Sequence, residues 1–297
     1  MIVVQIINGF GNQLFQYATA RQVAKRLGMA VKLDLSAFGR LDNVWKFQLD
    51  YFQCDYQIAT EQEIFELADP YIFHTFGFGF TKKLHVADYV SPTHFLERTP
   101  PYDEKILSIK NSHYLEGYFQ HERYIDEIRP ELVKEVQTLR QEFAQFDEGL
   151  LDKIKTCNSI ALHVRRGDYA SNADINKTYG VCSAEYYQQA IQYLKERVNN
   201  PHVFIFSNDV DWCRNELTLN VPTTYVSGSF DPPVDFYLMR ACKHFVIANS
   251  TFSWLAAYLG DGPDKIVVEP ARFFADFNHK FPGTPEPDLN VESWIKF

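Results

Sequence analysis

The sequence predicts an α/β protein with two domains, each built on a parallel β-sheet. Short apolar runs alternate with stretches of helical period, a pattern that requires crossover connections and favours parallel strands. The length of 297 residues corresponds to about two domains at about 150 residues each. Polar clusters follow several of the apolar runs. We therefore expect an N-terminal domain over residues 1–150 and a C-terminal domain over residues 151–297.

The first half opens with a β-α-β pattern. Its strand, helix and strand are predicted over 2–7, 12–27 and 31–35. The first run is apolar throughout, as in a strand that is buried on both faces, and Gly28 ends the helix. Residues 36–110 are rich in Phe, Tyr and Pro and predict only short helices, such as 61–67. A longer helix is expected over 122–146, with Pro130 as a break or a start.

The second half alternates strands and helices more regularly. Strands are predicted over 159–164, 202–206, 244–248 and 265–269, and helices over 183–198, 234–242 and 251–259. Ser183 stands where a helix N-cap is expected. In open parallel sheets, ligands bind outside the carboxyl ends of the strands. The polar clusters that follow the strands are therefore the candidate functional residues.

Charge and composition exclude several classes of protein. The chain has 29 Lys and Arg against 38 Asp and Glu, a net charge of −9, which disfavours a general nucleic-acid binder. The five cysteines form no C-x-x-C pair, so we expect reduced thiols. No G-x-S-x-G or G-x-x-x-x-G-K-[ST] motif supports a hydrolase or a P-loop enzyme. Without a signal peptide or a transmembrane run, a cytoplasmic protein is expected.

The first polar cluster is a glycine-containing loop after the first strand. It resembles a dinucleotide-binding loop, but Leu14 occupies the third glycine position of G-x-G-x-x-G. Two interpretations remain open. Gly9 and Gly11 either make a tight turn into the helix, or they hold the backbone close to a ligand oriented by the amides of Asn12 and Gln13.

The second cluster, HVRRGDY over 163–169, follows a buried strand. Alternation along the strand puts His163 and Arg165 on one face and Arg166 on the other. An arginine at the end of a buried strand needs an anion. The anion is either a carboxylate of this chain, Asp168 or Asp174, or a bound phosphate.

Two further clusters each allow two interpretations. Asp209 and Asp211 form an Asp-x-Asp pair that can bind a divalent cation bridging a nucleotide diphosphate, or Asn208 and Asp209 simply cap a helix. The last cluster lies at a strand-to-helix junction and offers hydroxyls and amides as an anion site, or ordinary caps. Its members are Asn249, Ser250, Thr251, Phe252 and Ser253. Aromatic residues within 45–56 and 114–124 are candidates for stacking on sugar rings.

Taken together, the motifs resemble the bacterial α-1,2-fucosyltransferases of glycosyltransferase family 11. The resemblance is carried by GFGNQLFQYA over 9–18, HVRRGDY over 163–169 and CKHFVIANSTFSWLAAYL over 242–259, and FSNDVDW over 206–212 also fits. The order of these segments covers nearly the whole chain, although 36–150 carries little motif. Asn8 stands where the family usually has glycine, and Leu255 where a second tryptophan is common.

The resemblance implies a GT-B-type fold, with two Rossmann-like α/β domains facing across a cleft. It implies GDP-β-L-fucose as the donor, bound by the C-terminal half, and a galactose-terminated oligosaccharide or surface polysaccharide as the acceptor. The α-1,2 linkage is then made with inversion and without a metal or another cofactor. A position at the inner membrane as a peripheral protein is the alternative to a purely cytoplasmic one.

The resemblance also implies that Arg165 contacts the β-phosphate. We expect Asp168 and His163 to act with it in catalysis, and His163 and Asp235 to contact the guanine and the ribose. The expected GDP-fucose-binding set is Gly9, Gly11, Asn12, Gln13, His163, Arg165, Arg166, Asn208, Asp209, Asp235, Asn249, Ser250, Thr251, Phe252 and Ser253. A metal-dependent nucleotide-sugar transferase using Asp209 and Asp211, or a glycan-binding relative without catalysis, remains as an alternative.

Overall fold

The computed structural model describes residues 1–39, 44–68, 91–97, 102–226, 231–262 and 264–297. These residues divide into two compact units. The first comprises Met1–Asp50 and Cys54–Leu132, and the second Tyr51–Gln53 and Val133–Phe297. Each unit contains one sheet whose described strands are all parallel. The predicted α/β class is confirmed.

Among its described residues, the first unit has a five-stranded sheet in the order β3-β2-β1-β5-β4. Its strands are β1 (Ile2–Gln5), β2 (Val31–Asp34), β3 (Gln57–Ile58), β4 (His94–Leu96) and β5 (His113–Glu116). The predicted first strand lies at the centre and is buried along its length, as its apolar run requires. The predicted β-α-β opening is therefore confirmed.

Two α-helices lie wholly within the described residues of the first unit, α1 (Phe10–Leu27) and α2 (Glu61–Leu67). Gly9 is the N-cap of α1, so the helix begins two residues before the predicted start, and Gly28 ends it in the left-handed conformation with φ 63°. Helix α2 has the predicted bounds. Thr60 and Glu63 form a reciprocal capping box at its start.

In the part of the second unit that the structure describes, six strands form a sheet in the order β11-β10-β9-β6-β7-β8. Its strands are β6 (Asn158–Val164), β7 (Pro201–Ser207), β8 (Thr223–Tyr225), β9 (His244–Val246), β10 (Val267–Glu269) and β11 (Ile295–Lys296). Successive strands lead from β6 outward to β8, and the chain then returns to place β9 on the other side of β6. The carboxyl ends of β6 and β9 therefore flank the point where the strand order reverses, which is where such sheets bind ligands.

The other α-helices of the described residues precede, connect or follow the strands of this second sheet along the chain. They are α3 (Arg129–Val136), α4 (Glu148–Thr156), α5 (Gly167–Ser171), α6 (Ala173–Tyr179), α7 (Ala184–Lys195), α8 (Val210–Glu216), α9 (Pro232–Arg240), α10 (Thr251–Leu259) and α11 (Phe277–Lys280). Short 3₁₀ helices lie at Ser36–Gly39, Leu49–Tyr51, Glu104–Ser108, Glu122–Tyr124, Asp126–Ile128 and Gln141–Phe143. The Ser183 hydroxyl accepts a hydrogen bond from the Tyr186 amide, so the predicted N-cap is confirmed.

The helix predicted over 122–146 is wrong in extent. Its first part forms two 3₁₀ turns, and the α-helix covers only Arg129–Val136, with Pro130 in the first turn. Proline fits there because the first-turn amides have no partner within the helix. Among the helices of the described ranges, none has the length and apolarity to cross a membrane.

Candidate functional site

The carboxyl end of β6 is tied to the first turn of α10 by a buried histidine. His163 Nδ1 lies 2.8 Å from Ser253 Oγ, across the point where the strand order reverses. Burial, and secondarily the charge of Arg165, lowers the pKa of His163 to about 3. The imidazole is therefore neutral at physiological pH, and the two predicted site residues are brought together.

Arg165 follows directly after β6 and remains partly exposed. One guanidinium nitrogen lies 2.6 Å from Asp168 Oδ1, and the guanidinium carbon is 5.0 Å from the centre of the Tyr169 ring. The Arg165 side chain is 26% exposed and Asp168 is 43% exposed. Of the two carboxylate partners considered, the structure therefore selects Asp168. A solvent-accessible pair of this kind leaves a fixed guanidinium that an incoming anion can reach.

Arg166 makes different contacts, which join the ends of β6 and β7. Its Nε lies 3.3 Å from Asp209 Oδ2, and its guanidinium carbon is 4.2 Å from the Trp212 ring centre. Its backbone amide donates a 2.9 Å hydrogen bond to Asn208 Oδ1. Gly167, with φ +26°, lies so close to Asn208 that a β-carbon would collide with Nδ2. Glycine is required here for the two strand ends to meet.

The Asp-x-Asp pair is divided between two positions on α8. Asp209 is the N-cap, and its Oδ1 accepts a 3.1 Å hydrogen bond from the Trp212 amide while its Oδ2 pairs with Arg166. Asp211 is an exposed residue of the first turn. The geometry accounts for Asp209 as a cap and ion-pair partner.

At the carboxyl end of β9, Asn249 is buried and its side chain is engaged within the fold. Nδ2 donates to the carbonyl oxygens of Tyr179 at 2.8 Å and Phe273 at 3.3 Å, and Oδ1 accepts from the Cys182 thiol. These contacts fasten the segments beside the site. Ser250 is the N-cap of α10, but its side chain makes no capping hydrogen bond, and no acidic residue lies in the first turn. The positive end of this helix is therefore not neutralised by the chain's own first turn.

Asp235 lies in the first turn of α9, which packs beside the start of α10. The Phe236 and Phe252 rings that join the two helices are 5.9 Å apart. Asp235 Oδ1 is buried and has no hydrogen-bond partner among the described residues. Burial, and secondarily the neighbouring Asp231, raises its pKa to about 7. A buried carboxylate oxygen without a partner is unfavourable, so this position is prepared for a ligand that donates hydrogen bonds.

The glycine loop predicted as part of the site belongs to the first unit. Gly9 and Asn12 are half-buried, while Gly11 and Gln13 are buried in the start of α1. Gln120 Nε2 donates a 2.7 Å hydrogen bond to Asn12 Oδ1. The structure thus gathers the predicted residues into two groups, one at the carboxyl edge of each sheet.

Several residues at these edges were not assigned to the donor site from the sequence. Tyr118, whose hydroxyl accepts a 2.9 Å hydrogen bond from Asn8 Nδ2, follows β5 and lies within the 114–124 segment that was predicted only for stacking on sugar rings. Trp212 covers Arg166 in the second unit, and its position within FSNDVDW was an available signal. Tyr51 donates a 2.6 Å hydrogen bond to Asp231, the N-cap of α9. An Asp before Pro-Pro is itself a helix-start signal.

With this geometry established, comparison with known proteins gives the family. Residues 79–290 match the sequence profile of Glycosyl transferase family 11. The chain belongs to this family. It is 32% identical to the alpha-1,2-colitosyltransferase of Escherichia coli over 98% of this chain and 99% of the relative. It is 30% identical to the O-antigen biosynthesis glycosyltransferase WbnK of Escherichia coli over 97% of both chains.

More distant relatives include a mammalian enzyme. The galactoside alpha-(1,2)-fucosyltransferase 2 of Rattus norvegicus is 24% identical over 88% of this chain and 68% of the relative. Among solved structures, the alpha-1,6-fucosyltransferase NodZ, in a crystal soaked with GDP-fucose, is similar with a TM-score of 0.51 and 14% identity. The match covers 87% of this chain and 92% of NodZ. Together with the two parallel sheets, this likeness confirms the predicted GT-B-type α/β fold class.

Proposed function

We propose that this family 11 protein transfers L-fucose from GDP-β-L-fucose to the 2-hydroxyl of a terminal β-galactoside, with inversion at the fucose carbon. The observation that carries the proposal is the convergence of three features where the second sheet reverses its strand order. They are the guanidinium of Arg165, the neutral imidazole of His163 and the uncapped N-terminus of α10 beginning at Ser250. A galactoside α-1,2-fucosyltransferase is among the relatives.

The diphosphate is the group that Arg165 and the N-terminus of α10 fit. Cleavage of the bond between fucose and phosphate leaves negative charge on GDP and positive charge on the sugar. We assign the stabilisation of the developing phosphate charge to Arg165 and the positive end of α10, with the Ser250 and Thr251 hydroxyls or amides. Because Asp168 already holds the guanidinium, little reorganisation is needed when the phosphate arrives. Loss of one such preorganised donor lowers the rate by about 10²–10³.

The guanine and the ribose of the donor fit the part of the site formed by Asp235 and His163. Guanine presents N–H donors along one edge, and Asp235 offers a buried carboxylate oxygen that needs donors. Since His163 is neutral, it forms ordinary hydrogen bonds and brings no positive charge to the nucleoside. We assign these two residues to the nucleoside and Arg165 to the β-phosphate.

Proton removal from the acceptor hydroxyl is assigned to Asp168. Its carboxylate lies beside the arginine that we place on the leaving group, and it is 43% exposed and therefore accessible. An oxocarbenium-like fucose accepts a weak nucleophile, so a modest base is sufficient. An Asp168→Asn variant that folds normally and turns over at the wild-type rate would eliminate this assignment.

The colitosyltransferase relative supports a second donor candidate. Colitose is L-fucose without its 3-hydroxyl, so a site that bonds this hydroxyl discriminates strongly between the two donors. A site without that contact accepts both. The WbnK relative, named for O-antigen biosynthesis, supports a repeat unit of a surface polysaccharide as an acceptor beside simple galactosides.

The test is a GDP-release assay with GDP-fucose and GDP-colitose against a panel of β-galactosides, with and without EDTA. We expect GDP release with GDP-fucose that depends on the galactoside and survives the chelator. The linkage of the product is then read by NMR. Abolition by EDTA favours the metal-dependent alternative through Asp209 and Asp211. Binding of glycans without any GDP release favours the non-catalytic alternative.

Arg165→Lys tests the central assignment. The change keeps the charge but removes the planar fork, so we expect kcat to fall by about 10²–10³. Arg197→Lys is the matched control, because Arg197 is an exposed arginine that contacts Glu196 and Tyr193 away from the site. Near wild-type kcat in the Arg165 variant would contradict the role assigned here.

A further inference from the structure

A large exposed aromatic side chain lies at the carboxyl edge of the first sheet. Trp45 is 42% exposed, which is unusual for so large an apolar group. Its six-membered ring packs on Gly9, where an added β-carbon would lie 3.2 Å from Cζ3. Gly9 directly precedes α1 and follows β1 by four residues. The absence of a side chain at Gly9 therefore lets the indole rest on the backbone at the end of the central strand.

The segment that carries Trp45 is held in place by a buried glutamine. Gln13 Nε2 donates hydrogen bonds of 2.8 Å to the carbonyl oxygens of Lys46 and Asn8, and Gln13 Oε1 accepts a 2.9 Å bond from the Gln48 amide. The Gln13 side chain is fully buried, so these bonds do not compete with water. The indole is thus presented by an ordered segment, and Gln13 acts as a positioning residue for it.

Polar groups border this aromatic surface. Asn8 Nδ2 donates to the Tyr118 hydroxyl at 2.9 Å, and Gln120 Nε2 donates to Asn12 Oδ1 at 2.7 Å, so two side-chain pairs join the segments that follow β1 and β5. These four side chains are half-buried. The Tyr118 hydroxyl therefore contacts the side chain of Asn8, and the Trp45 ring packs on the next residue, Gly9.

The loop after β5 is itself rigidly shaped. Glu97 Oε2 accepts hydrogen bonds from the amides of Tyr118 at 2.8 Å and Phe119 at 2.9 Å. Gly117 is needed because a β-carbon there would approach the Glu97 side chain at 2.5 Å. The polar rim is therefore fixed before any ligand binds, which reduces the entropic cost of binding.

We propose that Trp45, with the rim formed by Asn8, Asn12, Tyr118 and Gln120, is a saccharide subsite that binds the galactose ring of the acceptor. The axial 4-hydroxyl of galactose leaves the hydrogens of C3, C4 and C5 on one face, which forms an apolar patch that stacks on an indole. The hydroxyls around the ring match the amides and the phenol of the rim. This inference rests on the proposed function, since it names where that reaction's acceptor is held.

The experiment compares wild-type protein with Trp45→Ala and Trp45→Phe. Lactose is titrated in the presence of saturating GDP, with calorimetry and intrinsic fluorescence as readouts, and KM values for lactose and GDP-fucose are measured separately. We expect Trp45→Ala to weaken lactose binding and raise its KM by about tenfold or more, with the KM for GDP-fucose unchanged. Trp45→Phe should recover part of the affinity.

Phe65→Ala is the matched control, because Phe65 is 56% exposed on α2 of the same unit and lies outside the proposed subsite. It should leave both KM values unchanged. Circular dichroism shows whether each variant is folded. If Trp45→Ala does not fold, Tyr118→Phe provides a second test of the subsite. An unchanged lactose affinity in a folded Trp45→Ala protein overturns the subsite, even if fucose is transferred. Lactose binding that depends on Trp45 without any fucose transfer supports the subsite and refutes the proposed function.

Discussion

Replacing Asp235 with asparagine should make the ligand-free protein more stable and its GDP binding weaker. The pKa of this carboxyl is raised from 3.8 to about 7, because it is buried and lies near Asp231. Raising a pKa by one corresponds to about 1.4 kcal/mol of free energy, and the half-buried position of this residue reduces the full value. We therefore expect Asp235→Asn to stabilise the free protein by about 1–3 kcal/mol at pH 8, where the wild-type carboxyl is ionised.

The pH dependence follows from the direction in which this pKa is moved. Between about pH 4 and pH 7, the folded protein holds a proton on Asp235 that the unfolded chain has lost. The contribution of this group therefore lowers stability as the pH rises through that window, and the asparagine variant lacks the effect. GDP affinity moves in the opposite direction, since the ionised carboxylate is the better acceptor, and should weaken below pH 7.

Two measurements on the same samples test the expected changes in stability and in GDP affinity. Denaturant unfolding gives the free energy of unfolding at pH 5 and pH 8, and calorimetry gives the Kd for GDP. Loss of charge-assisted hydrogen bonds should weaken GDP binding by about 10- to 100-fold. Asp211→Asn, at an exposed position, is the control for removing a charge. An unchanged Kd for GDP in Asp235→Asn, or a loss of stability at pH 8, refutes the reasoning.

Two further predictions concern the end of β6. Gly167→Ala should lower the free energy of unfolding by about 2–3 kcal/mol, because φ is +26° and a β-carbon would collide with Asn208. Gly283 has φ +74° with open space around it, so Gly283→Ala should lower the free energy of unfolding by less in the same assay. His163 should make stability fall as the pH drops from 6.5 towards 3, because its pKa is lowered to about 3 and the unfolded chain takes up the proton first. Unfolding of His163→Gln between pH 4 and pH 7 should show a shallower pH dependence than wild type, and an equal slope would contradict the buried neutral state.

Apart from the helix predicted over 122–146, local sequence determined the long elements and the position of the polar clusters. The apolar run of β6, the N-cap at Ser183 and the left-handed Gly28 each depend on a few neighbouring residues, so they are readable without the fold. The parallel direction of the strands was also predicted from the alternation of strands and helices, whereas the order that places β9 beside β6 was not. Short edge strands such as β3 and β11 were not readable, because two residues carry no periodicity and become strands through their neighbours.

The chemistry of the individual side chains was decided only by the tertiary structure. Arg165 and Arg166 are adjacent residues of the same type. Arg165 nevertheless pairs with the accessible Asp168, whereas Arg166 pairs with Asp209, which follows β7. Asn249 looked like a ligand residue, and its side chain is used within the fold. Asp235 gained its raised pKa from burial. These outcomes depend on parallel register and packing, which bring together residues far apart in the chain and which local pattern does not specify.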